Sequence, residues 1–481
     1  MNGAVSWVRG TAACWLLLAG GCALGPDYQR PPVASPPAFR FGTDPATNSF
    51  GELGWRAVFE DPQLQGLIAA ALTNNYDLRQ AVARVEQARN LAVVARAPLL
   101  PQAGYGGGVG RGRNSLLNTP TPLGGTTESS AVAGFSAAWE LDVWGRIRRQ
   151  SQAARAQYLA TDEARRGVMI SLVSEVATAY FLLMQYDREL QIQREATNSY
   201  VGTYRIFDQR RISGVASRLE TDRALAALAA AAAEIPLLEL SVAITENQLG
   251  VLLGRDPGPV ARSRLDDVAD WPMTVPTGLP SGLLQRRPDI AGAEQLLVAA
   301  NAQVGANLAA MFPQFGLTTF LGKVSPELST FTGGTANAWN VGATLAGPLF
   351  QGGALRAQYR GAKARFEEAL AAYQQTVLTS LQEVSNALIS REKFSQTRVF
   401  SQEAVVALTS SVSLSIQRYV NGRSSYFEVL QAQQELYPSQ RAEVQARVNE
   451  RLAVINLYRA LGGGWTNTAP FSVHSAPFSA P

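Results

Sequence analysis

Residues 129–142 read Ser129-Ser130-Ala131-Val132-Ala133-Gly134-Phe135-Ser136-Ala137-Ala138-Trp139-Glu140-Leu141-Asp142. Ala131, Ala133, Phe135, Ala137 and Trp139 share one face of an extended chain. Ser130, Gly134, Ser136 and Glu140 lie mostly on the other. The alternation recurs in Phe315, Leu317, Thr319 and Leu321. It recurs again in Trp339, Val341, Ala343 and Leu345 against Asn340, Gly342 and Thr344. A fourth run, Gly-rich, covers 102–111, and the polar segment 112–128 with Pro120, Pro122, Gly124 and Gly125 joins it to the first as a loop. Strands of about ten residues with one apolar and one polar face are the dyad of a transmembrane barrel. Four strands are too few to close one, since the smallest membrane barrels have about eight. An open sheet in lipid would leave edge groups unpaired at several kcal/mol each. The barrel is therefore expected to be shared between chains. Two copies give a barrel filled by its own side chains, and three give a conduit. A soluble hairpin capping a helical rod is the competing reading. Trp139, Trp144 and Trp339 fit either an interfacial girdle or packing against a helix.

Working outward, the chain is a duplication. Adding 212 takes Asn75-Tyr76-Asp77-Leu78 to Arg287-Pro288-Asp289-Ile290, and Leu100-Pro101-Gln102 to Phe312-Pro313-Gln314. Adding 208 takes Gln209-Arg210 to Gln417-Arg418, Gly214 to Gly422, Ser217 to Ser425, Glu220 to Glu428, and Leu253-Gly254 to Leu461-Gly462. Each half predicts a helix (64–98 and 283–311), a β-hairpin, a very long helix (145–212 and 352–420), a glycine turn and a returning helix (217–253 and 425–461). The second long helix carries Leu355, Tyr359, Ala362, Phe366, Ala369, Tyr373, Val377, Leu381, Val384 and Leu388 at three- and four-residue spacing. Such a stripe predicts extended antiparallel helix packing or a coiled coil, and its length predicts a rod of roughly 100 Å. Pro236 predicts a kink in the first returning helix. The expected fold is mostly α with a membrane β-barrel portion.

The expected organisation is a signal peptide (1–21), an N-terminal anchor and equatorial segment (22–62), a first repeat (63–254), a linker (255–280), a second repeat (281–462) and a tail (463–481). Arg9, the short apolar core Thr11–Ala19 and the small residues Ala19-Gly20-Gly21 before Cys22 have the layout of a secretory signal. The cleavage pattern resembles a lipobox, with Ala19 where Leu is usual, so Cys22 is the expected lipidation site; an incidental cysteine after a plain signal is the alternative. Ala23 in place of Asp resembles the outer-membrane sorting pattern. No other stretch holds 18 consecutive apolar residues.

Composition removes most chemistry. The only cysteines are Cys14 and Cys22, and the only histidine is His474, so no His/Cys metal site can be assembled. A net charge of +4 over 481 residues gives no nucleic-acid footprint. Gly322-Lys323-Val324 lacks the Ser/Thr and spacing of a phosphate loop, and Gly104–Gly110 does not fit a dinucleotide fingerprint. No cofactor and no enzymatic activity are expected, and transport energy must come from a partner.

Several motifs carry a resemblance: Cys22-Ala23-Leu24-Gly25-Pro26-Asp27-Tyr28-Gln29-Arg30-Pro31, Trp139 through Arg146, Arg286-Arg287-Pro288-Asp289-Ile290, and Tyr419 through Gln433. Together these resemble the outer-membrane efflux lipoproteins of the OprM/NodT type, within the TolC-like outer membrane factor superfamily. The resemblance implies a homotrimer with a twelve-stranded barrel on a twelve-helix periplasmic tunnel. It implies a periplasmic adaptor (membrane fusion) protein and an inner-membrane RND transporter as partners, with drugs or other small molecules passing through. It places Glu428 at the first acidic position of the periplasmic entrance and Gln431 where a second Asp is often found. Glu220 and Asp222 would add charge from the first turn. Gly214, Ser217, Gly422 and Ser425 would form tips for an adaptor. Three copies of Glu428 near one axis would attract cations, while a helix N-terminal carboxylate favouring the macrodipole explains it equally. The exit duct of a type I protein secretion system and a lipid-anchored coiled-coil spacer are the alternative functions.

Overall fold

The computed structural model describes residues 23–33, 36–42, 50–113, 127–268, 278 and 280–463. The signal segment, Cys22, loop residues 114–126, linker residues 269–277 and the tail with His474 lie outside the described residues. The elements run α1 (Trp55–Val58), α2 (Pro62–Asn74), α3 (Tyr76–Arg96), β1 (Gln102–Arg113), β2 (Thr127–Leu141), α4 (Arg146–Ile212), α5 (Arg218–Leu252), α6 (Leu283–Arg286), α7 (Pro288–Ala309), β3 (Gln314–Ser325), β4 (Asn337–Ala346), α8 (Ala354–Val420) and α9 (Tyr426–Ala460). The chain forms two compact units, and each draws on both repeats. The first holds Met1–Pro32, Arg84–Asp162 and Gly292–Gln374; the second holds Val33–Ala83, Glu163–Ala291 and Gln375–Pro481.

In the first unit, β1, β2, β3 and β4 form one antiparallel sheet in sequence order, with β1 and β4 at its edges. The register joins Tyr105 to Phe135, Phe135 to Leu321 and Leu321 to Trp339. Side chains in a strand alternate between faces, so the odd-numbered residues of all four strands share one face. The even face carries Gly104, Gly106, Gly108, Ser130, Ser136, Thr318, Asn340, Gly342 and Thr344. Gly134 and Gly322 are paired there, and a Cβ on either would lie under 3 Å from the Phe320 ring tip. The aromatic ring covers glycine backbone that would otherwise stand bare. In the same unit, Ala153 and Ala156 of α4 meet Ala299 and Ala302 of α7, and the small side chains bring the two helices close.

The N-terminal strap Ala23–Pro32 is fastened to the same unit. Gly25 has φ +98°, and a Cβ there would lie 2.5 Å from Gly305 Cα on α7. Asn301 donates to Pro26 O at 2.9 Å, and the buried Arg149 pairs with Asp27 at 2.9 Å. Tyr28 and Arg30 both bond Glu294.

In the second unit, Leu64 and Ile68 of α2, Val176, Tyr180 and Leu183 of α4, Leu249 of α5 and Leu457 of α9 are all buried. The single helices expected over 64–98 and 283–311 are each broken. Asn75 leaves the helix at ψ 131°, and its Oδ1 accepts the Leu78 N–H at 2.9 Å to start α3. Arg287 has ψ 122° because Pro288 disfavours a helical residue before it. The two breaks are anchored alike: Asn75 Nδ2 donates to Leu252 O at 3.0 Å, and Arg287 Nη1 donates to Ala460 O at 2.9 Å. Gly254 and Gly462 end the returning helices at φ +65° and +92°. Both α5 and α9 run on through an internal proline, Pro236 and Pro438 respectively, of which the sequence reading noted only the first.

Three helices, Arg146–Ile212, Arg218–Leu252 and Ala354–Val420, contain 18-residue windows long and apolar enough to cross a membrane by length and composition. A window admits a few charges, so it differs from the uninterrupted apolar run that the chain lacks. The window in α4 is 61% buried within the chain, whereas those in α5 and α8 are 17% and 6% buried.

Candidate functional site

Two places carry function-bearing geometry: the exposed sheet and the paired helical turns. On the odd face of the sheet, Tyr105, Phe135, Leu321 and Trp339 form one cross-strand row, exposed by 88%, 69%, 65% and 76%. Val109, Val341 and Leu345 extend the apolar surface and are also exposed. A row of large apolar side chains turned outward on an unclosed sheet suits lipid, not water. Trp139 is partly buried and donates to Leu99 O at 3.1 Å, and Trp144 packs on Phe312 and donates to Pro313 O at 2.8 Å. Trp139 and Trp144 are thus partly covered by neighbouring segments of the chain, while Trp339 is exposed.

The turns joining α4 to α5 and α8 to α9 repeat the same backbone bonds 208 residues apart. Gly214 N donates to Arg211 O and Val215 N to Arg210 O; Gly422 N donates to Tyr419 O and Arg423 N to Arg418 O. Gly214 and Gly422 have φ +74° and +68°, the left-handed conformation that glycine supplies without steric cost. Their side chains then diverge. Ser217 forms a full capping box: its Oγ accepts the Glu220 N–H at 3.3 Å, and the Glu220 carboxylate accepts the Ser217 N–H at 2.8 Å. Ser425 occupies the matching N-cap without a side-chain cap bond. Glu428, freed from that task, lies 3.6 Å from Arg418 in an exposed pair. Asp222 pairs with Arg218 at 3.5 Å, also exposed, and Gln431 donates to Glu435 at 3.2 Å. Exposed pairs of this kind contribute about 0–1 kcal/mol.

The two turns lie side by side. Arg210 Nη1 donates to the Tyr419 hydroxyl, and Arg223 sits 5.9 Å above the Phe427 ring. Between them is a cluster to which the sequence reading assigned no role. The Tyr426 ring packs edge-on against Phe207 at 4.7 Å and Tyr419 at 5.1 Å, and its hydroxyl bonds Thr203 Oγ1. Burial raises the Tyr426 hydroxyl pKa, and that of the neighbouring Tyr200 is pushed up to about 12 by the same cause. Both therefore stay neutral hydrogen-bonding groups at physiological pH. The signal was present in the sequence, since Tyr419 and Tyr426 are aromatics flanking the glycine turn. Among the described residues, no group of three or more His, Cys, Asp or Glu could hold a metal ion.

The chain thus combines a sheet that bears an exposed apolar row with long helices paired at glycine turns. The chain belongs to the outer membrane efflux protein family, whose pattern matches residues 67–255 and 279–463. It is 37% identical over 456 residues to the probable efflux pump outer membrane protein TtgC of Pseudomonas putida, covering 93% of this chain and 94% of that one. It is 34% identical over 452 residues to the probable outer membrane lipoprotein SilC of Salmonella typhimurium, covering 93% and 97%. Among solved structures, the outer-membrane channel OprN superposes with a TM-score of 0.86 at 32% identity, over 92% of this chain and all of that one. The chain is an outer-membrane efflux protein.

Proposed function

We propose that three copies of this chain close a twelve-stranded barrel in the outer membrane and continue it as a twelve-helix tunnel through the periplasm. The duct is passive. It takes drugs or other small molecules from a periplasmic adaptor and an inner-membrane RND pump and releases them outside. The observation that carries this reading is the four-stranded sheet with both edges open and a large apolar row exposed. Neither edge can remain unpaired in lipid, and each is satisfied if β4 of one copy pairs with β1 of the next. The glycines, serines and threonines of the even face would line a lumen with room to conduct. The sparsely buried apolar windows of α5 and α8 support the same assembly, because neighbouring copies would cover them.

In this arrangement Cys22 carries the acyl anchor. Glu428, Gln431, Glu220 and Asp222 surround the entrance, and the turns at Gly214–Ser217 and Gly422–Ser425 meet the adaptor. Glu220 keeps its charge while it caps its own helix, and Glu428 and Asp222 each face an arginine, Arg418 and Arg218. Native mass spectrometry of the detergent-extracted full-length protein tests the assembly. Three chains, each heavier than residues 22–481 by an acylglyceryl modification, are expected. A monomer without added lipid would overturn both the barrel and the anchor. Deletion of the gene beside an intact pump should abolish efflux of at least one pump substrate.

A further inference from the structure

The junction between β4 and α8 has features that the channel reading does not use. Leu349 and Phe350 follow β4 after Gly347-Pro348 and are 104% and 88% exposed. Gly347 turns the chain against Pro313, where an added Cβ would lie 3.0 Å from Pro313 Cα. Beneath the two side chains is an open cavity of about 520 Å³, lined by Met311, Pro348, Leu355 and Arg356 as well. The adjoining Phe312–Pro313 segment is held by Trp144, whose carbonyl accepts the Leu24 N–H at 2.9 Å. The chain that leads back to Cys22 therefore arrives at this same end of the sheet.

A basic stripe follows. Arg356, Arg360 and Lys363 stand four and then three residues apart at the start of α8, so they share one helix face, and all three are exposed. None makes an ion pair among the described residues; Lys363 rests on the Tyr359 ring at 5.1 Å. Glu367 is the next charged residue on that face. The corresponding junction of the first repeat differs: Arg146, Arg148 and Arg149 are paired with Glu140, Asp142 and Asp27. Among the described residues, the second junction sets three cations without an ion pair beside an exposed apolar loop. Apolar side chains reaching into acyl chains, with long basic side chains just outside at phosphate level, form an interfacial lipid contact.

We propose that Leu349 and Phe350, with Arg356, Arg360 and Lys363, seat anionic phospholipid of the leaflet that faces the helices. The inference rests on the reading of the sheet as membrane-embedded, and it adds a lipid class and a binding place to it. Acylation of Cys22 leaves an introduced cysteine as the sole free thiol, with wild-type protein as the labelling control.

Leu349→Cys and Val341→Cys are labelled with an environment-sensitive fluorophore in the full-length protein. Both are then reconstituted into phosphatidylethanolamine:phosphatidylglycerol vesicles containing brominated lipid. The label at 341 should be quenched by deep bromines and the label at 349 by shallow ones. Quenching at 341 without quenching at 349 overturns the lipid seat alone and points to a neighbouring copy as its cover. Absence of quenching at both overturns the membrane reading and the seat with it. In native mass spectrometry, the triple variant R356Q/R360Q/K363Q should retain about threefold less phosphatidylglycerol than wild type. Equal retention would overturn the headgroup assignment.

Discussion

The aromatic cluster at the paired turns makes the sharpest prediction. Tyr426 holds the start of α9 against the end of α4 by two means, ring packing and one hydroxyl bond. Tyr426→Phe removes the hydroxyl bond alone. Thr203 is not orphaned by the change, because its hydroxyl also donates to Ser199 O at 3.0 Å. The cost is then the net value of one hydrogen bond, about 0.5–1.5 kcal/mol. Tyr426→Ala removes the ring as well, together with two edge-on contacts worth about 0.5–1.5 kcal/mol each. Aromatic-to-alanine changes in cores cost about 3–5 kcal/mol, and the partial exposure of Tyr426 places it near about 3 kcal/mol. At about 1.4 kcal/mol per factor of ten, the alanine variant should open the turn roughly 100-fold more often, and the phenylalanine variant at most about tenfold. Hydrogen–deuterium exchange of the solubilised full-length protein reads this directly, in peptides covering 199–212 and 419–436, with the sheet as internal standard. Equal loss of protection in both variants would refute the assignment of the restraint to ring packing. No loss in either would refute the clamp itself.

The two N-caps should respond unequally. Ser217→Ala should cost about 1 kcal/mol and speed exchange about fivefold in the first turn of α5. Ser425→Ala, which deletes no cap bond, should leave α9 unchanged, and equal effects would contradict the geometry. Glu443 predicts a pH dependence. Burial raises its pKa above the ordinary 4.5, Asp266 adds to the shift, and Arg447, Arg188 and Arg398 oppose it. The folded state therefore holds this proton more tightly than the unfolded state, and stability is lost as pH climbs above the ordinary value. Glu443→Gln should melt at higher temperature than wild type at pH 8, with the gap closing below pH 4.5; a lower melting temperature at pH 8 would refute it.

Much of the fold was legible because its signals are periodic. The alternation in 129–142 and 315–345 located the strands of the sheet, and the three- and four-residue stripe from Leu355 to Leu388 located α8. The helix breaks were missed at Asn75 and Arg287 because apolar spacing runs straight through them. The signals that break the helix are local, Pro288 after Arg287 and the Asn75 side chain capping Leu78, and the long-range bonds to Leu252 O and Ala460 O only anchor the breaks. The cross-strand apolar row needed the register. Tyr105, Phe135, Leu321 and Trp339 become one row only when the strands are paired.

The helical turns were legible in position but not in their side-chain bonding, and the reason lies in how duplication leaves its mark. Glycines at 214 and 422, and at 254 and 462, survive in both halves because a backbone at positive φ accepts little else. The side chains around them are less constrained, since one bonding need can be met in several ways. Asn75 and Arg287 anchor equivalent breaks with different groups. Ser217 and Glu220 close a capping box, while Ser425 and Glu428, identical in type and spacing, do not. Arg418 draws Glu428 outward, and Tyr426 supplies by ring packing what the missing cap bond does not. The same two residue types therefore yield a helix cap at one turn and an available carboxylate at the other, and only the three-dimensional neighbours separate the two outcomes.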